Sequence, residues 1–410
     1  MLSRLPAEVR QYLLITGNYW AFTLTDGALR MLVVLHFHQL GYSPLQVALL
    51  FLFYEVFGVI TNLVGGWLGA RIGLNRTMNS GLLLQVVALA MLLVPPAALS
   101  VPWVMAAQAL SGIAKDLNKM SAKGSIKGLV PADRQGALFR WVAALTGSKN
   151  ALKGVGFFLG GALLAWLGFR AAVAAMAAAL LLIGLASVWL LKRDLGKAKA
   201  KPKFRDIFSK SRAINLLAAA RLFLFGARDV WFVVALPVFL YDRLGWDFWQ
   251  VGGFLAAWVI GYGLVQSLAP WLINRRGKPL PDGRTAFVWA ALLGAEMVAM
   301  ALALHQGRNA EAVLIGGLAL FGVLFALNSA LHSYLIVEYA NEDGVSLDVG
   351  FYYMANAMGR LLGTVLSGWV FQHAGLEACL WWSAGFIALA AVISLALPRH
   401  THPQMPVQAA

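Results

Sequence analysis

Apolar residues fill the chain in long blocks that are separated by short polar segments. A helix of about 20 apolar residues spans the ~30 Å hydrocarbon core of a bilayer, so each block predicts a membrane-spanning helix. Transmembrane β-strands would instead alternate over about 10 residues, and the continuous run 171–191 does not alternate. The pattern predicts an all-α membrane protein with about twelve spans, at 11–38, 45–70, 77–95, 101–123, 136–166, 169–191, 213–241, 248–273, 284–305, 311–339, 347–373 and 376–397.

Composition and charge agree with a membrane protein. Hydrophobic residues make up 60% of the chain and charged residues 12%, whereas soluble domains carry about 25% charged residues. The net charge of +15 does not require nucleic acid, because Lys and Arg concentrate in alternate loops. The segment 192–212 alone contains nine of them. Cytoplasmic loops are enriched in Lys and Arg, so both termini and this segment are predicted to lie in the cytoplasm.

The basic segment also divides the chain into two similar parts. We expect a six-helix bundle at 1–191, a linker at 192–212, a second bundle at 213–397 and a cytoplasmic tail at 398–410. Similar features recur about 205 residues apart: Asp26 and Asp229, Asn150 and Asn356, and the loops that begin at 66 and 270. Parallel repeats of this kind are typical of transporters.

The first of these loops resembles the loop 2–3 motif of the major facilitator superfamily, G-x-x-x-D-R-x-G-R-R/K. Gly66, Arg71 and Gly73 match it and Arg76 supplies a nearby base, whereas Ala70 and Leu74 stand where an acid and a base are expected. In that family the motif closes the cytoplasmic side of the helix bundle. The resemblance implies the major facilitator fold, with two six-helix repeats around a central cavity.

A more extensive resemblance covers nearly the whole chain. The blocks NYWAFTLTDGALRMLVVLHFH (18–38), LFLFYEVFGVITNLVGGW (50–67), SGIAKDLNKMSAK (111–123) and GSKNALKGVGFFLGG (147–161) resemble ArsJ-type organoarsenical efflux permeases. The resemblance implies export of 1-arseno-3-phosphoglycerate across a bacterial inner membrane, and hence arsenate resistance. Glyceraldehyde-3-phosphate dehydrogenase, which forms this ester from arsenate, would be a functional partner without a required complex.

Charged residues inside the spans are the candidate substrate ligands. A charge at the centre of a spanning helix costs about 2.5–3.5 kcal/mol on insertion scales, so a compensating role is expected. Several of the basic residues lie four or seven apart and so share one helix face. A ring of cations would suit a compact, multiply charged anion. The predicted substrate ligands are Arg30, Lys115, Lys119, Lys149, Lys153, Arg221, Arg228, Arg360, Asn150, Asn328, His332 and Asn356.

Other roles for these charges remain open at this stage. Asp26, Glu55 and Asp229 are candidates for proton coupling, and Asp26 could instead neutralise Arg30 four residues away. Arg228 and Asp229 are adjacent and are expected to point apart. Three further basic residues are expected to be interfacial or to extend towards the membrane surface: Lys123, Lys127 and Arg140.

The remaining chemistry excludes several classes of function. Cys379 is the only cysteine, so capture of arsenite by two or three thiolates is excluded, and neither a metal nor a cofactor is expected. The sequence contains no H-E-x-x-H, G-x-S-x-G or Walker motif, which argues against a membrane-embedded enzyme. An organic-phosphate or phosphate antiporter would need the same basic cavity and stays the main alternative.

Overall fold

The structure, a computed structural model, consists of helices joined by turns and loops in the residues that it describes, and no strand occurs among them. These residues are 6–42, 50–130, 135–191, 195–198, 203–204, 208, 210–246, 248–273 and 280–399. Six of their helices are long and apolar enough to span a membrane, and two of those six are twice the length of a span. The four N-terminal helices fall outside this group.

Eight spans are separate elements in the structure: α1 (Ala7–Gln39), α2 (Leu52–Ile72), α3 (Leu74–Met91), α4 (Val101–Lys127), α7 (Arg212–Phe232, continued by Ala235–Asp242), α8 (Phe248–Ile273), α9 (Gly283–His305) and α10 (Ala310–Tyr339). The long helices Gln135–Leu190 and Val345–Ser394 each contain one non-helical glycine, Gly168 (φ +73°) or Gly375 (φ +78°). Each glycine separates two spans. We name them α5 (135–167), α6 (169–190), α11 (345–374) and α12 (376–394).

Where the structure describes them, the spans lie within a few residues of the predicted blocks, with two differences; the predicted start of the second span at 45–49 and most of the predicted linker and tail lie outside the described residues. The helix α3 begins at Leu74 rather than 77, because Gly73 takes φ +98° and turns the chain directly after α2. The helix α7 is interrupted at Val233 and Val234. Pro237 explains the interruption, since it has no N–H to donate to the carbonyl of Val233.

The start of the first span and the end of the last span lie at the same end of the bundle, which we call the termini side. Near the start of α1, Tyr12 donates its hydroxyl to the carbonyl of Trp141 at the start of α5 (2.9 Å). Beyond α12, the carbonyl of Pro398 accepts from Tyr339 at the end of α10 (3.2 Å). The ends of α4 and α10 meet at the same side, where Lys127 donates to the Glu338 carbonyl (2.8 Å).

The first six spans and the last six share an apolar core only towards the termini side. There, Phe139 of α5 packs on Tyr334 of α10 with ring centroids 4.9 Å apart. Towards the opposite side, each half has its own core, around Phe37 in the first half and Trp231 in the second. The described conformation is therefore closed at the termini side.

Candidate functional site

Five charged side chains from both halves form a continuous ion network at mid-height, which we call the central cluster. Arg360 of α11 lies 3.2 Å from Asp229 of α7 and 3.6 Å from Glu55 of α2. The other oxygen of Glu55 pairs with Arg30 of α1 at 3.3 Å. The fifth member is Arg228, whose Nη2 lies 2.5 Å from Asp229. Arg360 thus links the two halves.

The central cluster faces the space between the halves and retains contact with solvent. The side chains of Arg30, Glu55 and Arg360 are 29%, 34% and 32% exposed, although each lies within a spanning helix. By contrast, Asp229 has no exposed side-chain surface. An incoming anion could therefore reach the exposed guanidinium groups, while the buried Asp229 stays paired with Arg228 and Arg360.

The pairing of Arg228 with Asp229 corrects the expectation that they point apart. Arg228 Nε also donates to Asp229 at 2.6 Å, so two guanidinium nitrogens contact the same carboxylate oxygen, Oδ1. The long Arg side chain folds back along its own helix, held between the rings of Phe225 and Phe325 at 5.0 and 5.5 Å. The Cβ atoms of adjacent helix residues point in different directions, but the Arg228 side chain is long enough for its guanidinium group to contact Asp229.

Asp26 is not the partner of Arg30. Its two carboxylate oxygens accept from the hydroxyl of Tyr54 at 2.8 and 3.0 Å, and its surface is buried. The guanidinium of Arg30 lies 5.2 Å from the centre of the same Tyr54 ring. Tyr54 therefore contacts both groups, although no periodic signal in the sequence singles it out.

Lys115 and Lys119 share one acid, Asp116. Lys119 approaches Asp116 at 2.6 Å and Lys115 at 3.9 Å. Aromatic faces cover the other side of each ammonium group: Tyr54 lies 3.8 Å from Lys115, and Tyr353 lies 4.8 Å from Lys119. This pair therefore retains one net positive formal charge.

Lys149 and Lys153 of α5 have no carboxylate within 4 Å in the described part of the chain. Lys149 donates to the amide oxygen of Asn150 (3.2 Å), and Lys153 lies 6.0 Å from the ring of Phe157. Unlike the arginines of the central cluster, these ammonium groups are free to bind an anion without displacing an acid.

Beneath the central cluster, a chain of hydrogen bonds crosses from one half to the other, and we call it the polar layer. Asn150 donates to Gln266 (2.6 Å), and Gln266 donates to Ser329 (3.0 Å). Arg221 donates to the same Ser329 hydroxyl (3.3 Å) and to Asn356 (2.8 Å). The layer joins α5, α8, α10, α7 and α11 and closes the floor of the site.

Two of the predicted ligands are placed differently from the rest. Asn328 donates its amide to the carbonyls of Trp289 and Leu324 (both 2.9 Å), so it binds α9 and its own helix. His332 is buried, and its Nδ1 has no hydrogen-bond partner in the described structure. Neither side chain is therefore part of the central cluster or of the polar layer.

Comparison with known families shows to which family the chain belongs. A family model described as Major Facilitator Superfamily matches residues 13–341. The chain belongs to the major facilitator superfamily. It is accordingly a multi-pass membrane transporter of the general kind found in that superfamily, and the predicted fold class is confirmed.

Solved major facilitator structures agree with the fold. The human organic anion transporter MFSD10 (TETRAN) superimposes with a TM-score of 0.76 at 17% identity, over 95% of this chain and 100% of that chain. A bacterial homologue of the iron transporter ferroportin, in the outward-facing state, gives 0.74 at 14% identity over 94% and 98%. The fucose:proton symporter FucP of E. coli gives 0.74 at 14% over 95% and 99%. These identities show the fold alone, and no curated protein matches the sequence.

The loop 2–3 motif of this major facilitator chain lies at the closed side. Gly66 packs so tightly on α11 that an added Cβ would lie 2.5 Å from the carbonyl of Ser346. The positive φ of Gly73 makes the turn into α3, while Arg71 and Arg76 are exposed and Arg71 stacks on a neighbouring indole ring, 5.1 Å from its centre.

Backbone contacts with the linker occur where the motif lacks its acid. The amide of Ala198 donates to the carbonyl of Ala70 (2.8 Å), and the amide of Leu74 donates to the carbonyl of Leu195 (2.9 Å). On the other half, Lys210 pairs with Asp348 at the start of α11 (3.3 Å). Described parts of the linker thus contact both halves at the closed side.

Lys123 is not interfacial, as the sequence suggested, but buried between the halves. It is 3% exposed and donates to the hydroxyl of Tyr353. Lys127, one turn further along α4, donates to the carbonyls of Glu338 and Ala340. Of the three, only Arg140 is exposed. The two lysines cross the interface because α4 ends against α10 and α11.

No group of three or more His, Cys, Asp or Glu side chains that could hold a metal ion occurs in the described residues. Besides the buried Lys123, eight basic and four acidic side chains lie in the spans around the space between the halves. The basic side chains are Arg30, Lys115, Lys119, Lys149, Lys153, Arg221, Arg228 and Arg360, and the acidic ones are Asp26, Glu55, Asp116 and Asp229.

Proposed function

We propose that the chain exports a compact, multiply charged organic anion, and that the anion is 1-arseno-3-phosphoglycerate. The observation that carries this proposal is the excess of basic over acidic side chains around the space between the halves. The resemblance to ArsJ-type organoarsenical efflux permeases supplies the identity of the anion. Its phosphate, arsenate and carboxylate groups would offer oxygen acceptors to several cations at once.

Recognition is divided between two kinds of cation. Arg30 and Arg360 present planar guanidinium groups, which can donate two hydrogen bonds to one oxyanion. Lys149 and Lys153 act as point charges without a competing acid. When the substrate binds the arginines, it displaces Glu55, which then becomes free to take up a proton.

Proton coupling is compatible with this exchange but is not required by energetics. An inside-negative potential of 100 mV contributes about 2.3 kcal/mol for each charge moved. Export of roughly three negative charges would gain ~7 kcal/mol, or about five decades of concentration at ~1.4 kcal/mol per decade. Asp26, Glu55 and Asp229 are the candidate proton carriers; Asp26 accepts from a neutral hydroxyl, whereas Glu55 and Asp229 are paired with arginines.

The proposed orientation places the termini side in the cytoplasm of a bacterium, with the chain in the inner membrane. The support is the excess of Lys and Arg in the loops of that side. The described conformation, closed at the termini side, would then be the one from which substrate leaves. The two bundles at 1–191 and 213–397, joined by the linker 192–212, would rock around the central cluster between the two states.

The functional partner would be glyceraldehyde-3-phosphate dehydrogenase, which makes the arseno-ester in the compartment from which the permease removes it. No physical complex is required. With Cys379 as its only cysteine, the chain lacks the thiolates that arsenite binding requires.

Arsenate-sensitive cells provide the test. Cells that express the chain should gain arsenate resistance only when the dehydrogenase and its triose phosphate are present, and their arsenite sensitivity should not change. Measurement of growth inhibition with the dehydrogenase gene intact or deleted checks this expectation. Resistance that persists without the dehydrogenase would contradict it and favour direct arsenate export by a phosphate antiporter.

A further inference from the structure

Two basic side chains are buried on the termini side of the central cluster with no acid beside them. Lys123 of α4 and Arg221 of α7 are each 3% exposed. The Lys123 ammonium donates to the Tyr353 hydroxyl, and Arg221 donates to the neutral oxygens of Ser329 and Asn356. Neither side chain lies within 4 Å of a carboxylate in the described ranges.

The two cations flank one pair of adjacent aromatic rings on α11. Arg221 lies 5.2 Å from the centre of the Tyr352 ring, and Lys123 lies 4.7 Å from the centre of the Tyr353 ring. The two ring centroids are 4.9 Å apart. The hydroxyl of Tyr352 on α11 and the Nδ1 of His332 on α10 are buried without hydrogen-bond partners in the described structure. The helices α10 and α11, which also carry the Arg221 partners Ser329 and Asn356, therefore retain unused hydrogen-bonding capacity.

Such an arrangement is unfavourable unless an anion occupies it at some stage. A cation loses its hydration on burial, and only an opposite charge compensates that loss well. Lys123 belongs to the first half of the chain, whereas Arg221 and Tyr353 belong to the second. Separation of the halves at the termini side would therefore draw Lys123 away from Tyr353 and open the space between the cations.

We propose that Lys123 and Arg221, with Tyr352 and His332, form a second oxyanion site that is open only when the termini side is open. Its ligand is a phosphate or a phosphate ester, which an inward-open transporter would bind here before the central cluster. The proposal rests on the proposed function only in taking the substrate to be an anion. Closure with the site empty buries two uncompensated charges, so the empty site favours reopening.

Thiol labelling of the purified full chain tests the site with inorganic phosphate as the probe. Ser333 lies on α10 one turn beyond Ser329, which accepts from Arg221, and it is fully buried. In a C379S background, S333C should react with aminoethyl methanethiosulfonate only when the termini side opens. Phosphate should slow this reaction at least fivefold.

Matched variants locate the bound anion. The phosphate concentration that gives half protection should rise at least tenfold in K123Q and in R221Q, a change of about 1.4 kcal/mol. It should change less than threefold in K123R and in R360Q. The control is K127Q, because Lys127 carries the same charge one turn away but binds the backbone carbonyls of Glu338 and Ala340. Its value should stay within twofold.

Three results would overturn the second site: no protection by phosphate, protection lost in R360Q but kept in K123Q and R221Q, or an equal loss in K127Q. If S333C does not fold, the increase in melting temperature caused by phosphate replaces labelling, with the same variants and the same ranking expected. The site and the proposed function can fail separately. Protection without arseno-ester export would contradict the substrate, whereas export without protection would contradict the site.

Discussion

At the scale of single residues, two acids of the interior hold three arginines in place, whereas Lys149 and Lys153 have no carboxylate within 4 Å in the described part of the chain. Glu55 and Asp229 contact Arg30, Arg228 and Arg360. A guanidinium with several donors can keep one acid partner and still offer a fork to a substrate oxyanion. In the proposed function, the acids would orient the binding groups, and their charge would lower the attraction for an anion enough to permit its release.

Arg360 should be the most sensitive of these positions, because it contacts acids of both halves. The R360Q variant should lower transport about 10- to 100-fold, since a hydrogen bond to a charged group contributes roughly 1.5–3 kcal/mol. R360K should recover part of the loss but lacks the fork. Transport rates normalised to the amount of protein in the membrane give the measurement, with exposed Arg308 changed to Gln as the control. Full transport by R360Q would remove Arg360 from the site.

Variants of Lys149 and Lys153 should weaken substrate binding without lowering the stability of the protein. Removal of either positive charge orphans no acid and relieves a partly buried, unpaired ammonium group. K149Q and K153Q should therefore raise the KM for substrate at least tenfold while the melting temperature stays equal or rises. R360Q should lower the melting temperature, since it leaves Glu55 and Asp229 undercompensated. A lower melting temperature in both lysine variants would indicate that these lysines serve the fold instead.

The sequence was sufficient to predict which charges lie inside the spans but not which partners they contact. Mid-span Lys and Arg are visible as exceptions to an apolar pattern. The bond from Tyr54 to Asp26 and the bond from Asn150 to Gln266 join residues that lie 28 and 116 positions apart. Such contacts depend on how separate helices pack, and no local period encodes them. Residue spacing likewise predicts only the direction of each Cβ. It does not show that the long Arg228 side chain can fold back to Asp229.

At the scale of elements, glycines set how closely the halves approach at the termini side. Gly66 of α2 and Gly350 of α11 face each other, and a Cβ on Gly350 would lie 2.5 Å from the carbonyl oxygen of Asn62. A similar contact joins α5 and α8, where a Cβ on Gly147 would lie 2.5 Å from the carbonyl of Gly263. These backbones touch directly, so a side chain at either place would have to push two helices apart.

The variant G350A should hold the termini side open. Overpacking of such a contact costs roughly 1–3 kcal/mol, which would shift the equilibrium between the two conformations by about one to two decades. Transport should fall at least tenfold, and a thiol reporter in place of Lys127 should react faster. G368A is the matched control, because an added Cβ on this glycine of the same helix meets nothing within 4 Å. Normal transport by G350A would show that α2 and α11 need not close so tightly.

The sequence predicted the positions of the helices more completely than the breaks within them. The predicted gap between 166 and 169 contains Gly168, and the gap between 373 and 376 contains Gly375, because a glycine between two apolar runs marks a turn. The break inside α7 was not predicted. Its cause, Pro237, lies one turn after the break, and the apolar run continues through it.

At the scale of the whole molecule, the interior is graded along the transport path. The central cluster lies furthest from the termini side and is partly exposed, the polar layer with Arg221 lies between it and the termini side, and Lys123 is buried nearest the closed end. An anion that passes from the termini side would meet cations at every level. Basic residues in the loops would raise its concentration at the entrance, while the membrane potential would drive it outwards.

Transport of a labelled arseno-ester into everted membrane vesicles tests the central claim most directly. These vesicles present the cytoplasmic side to the medium, so the chain should accumulate 1-arseno-3-phosphoglycerate inside them when the membrane is energised. Accumulation should depend on Arg360 and should be measured with and without a pH gradient, which also decides whether protons are coupled. Vesicles that contain the protein but accumulate inorganic phosphate or 3-phosphoglycerate, and not the arseno-ester, would contradict the account.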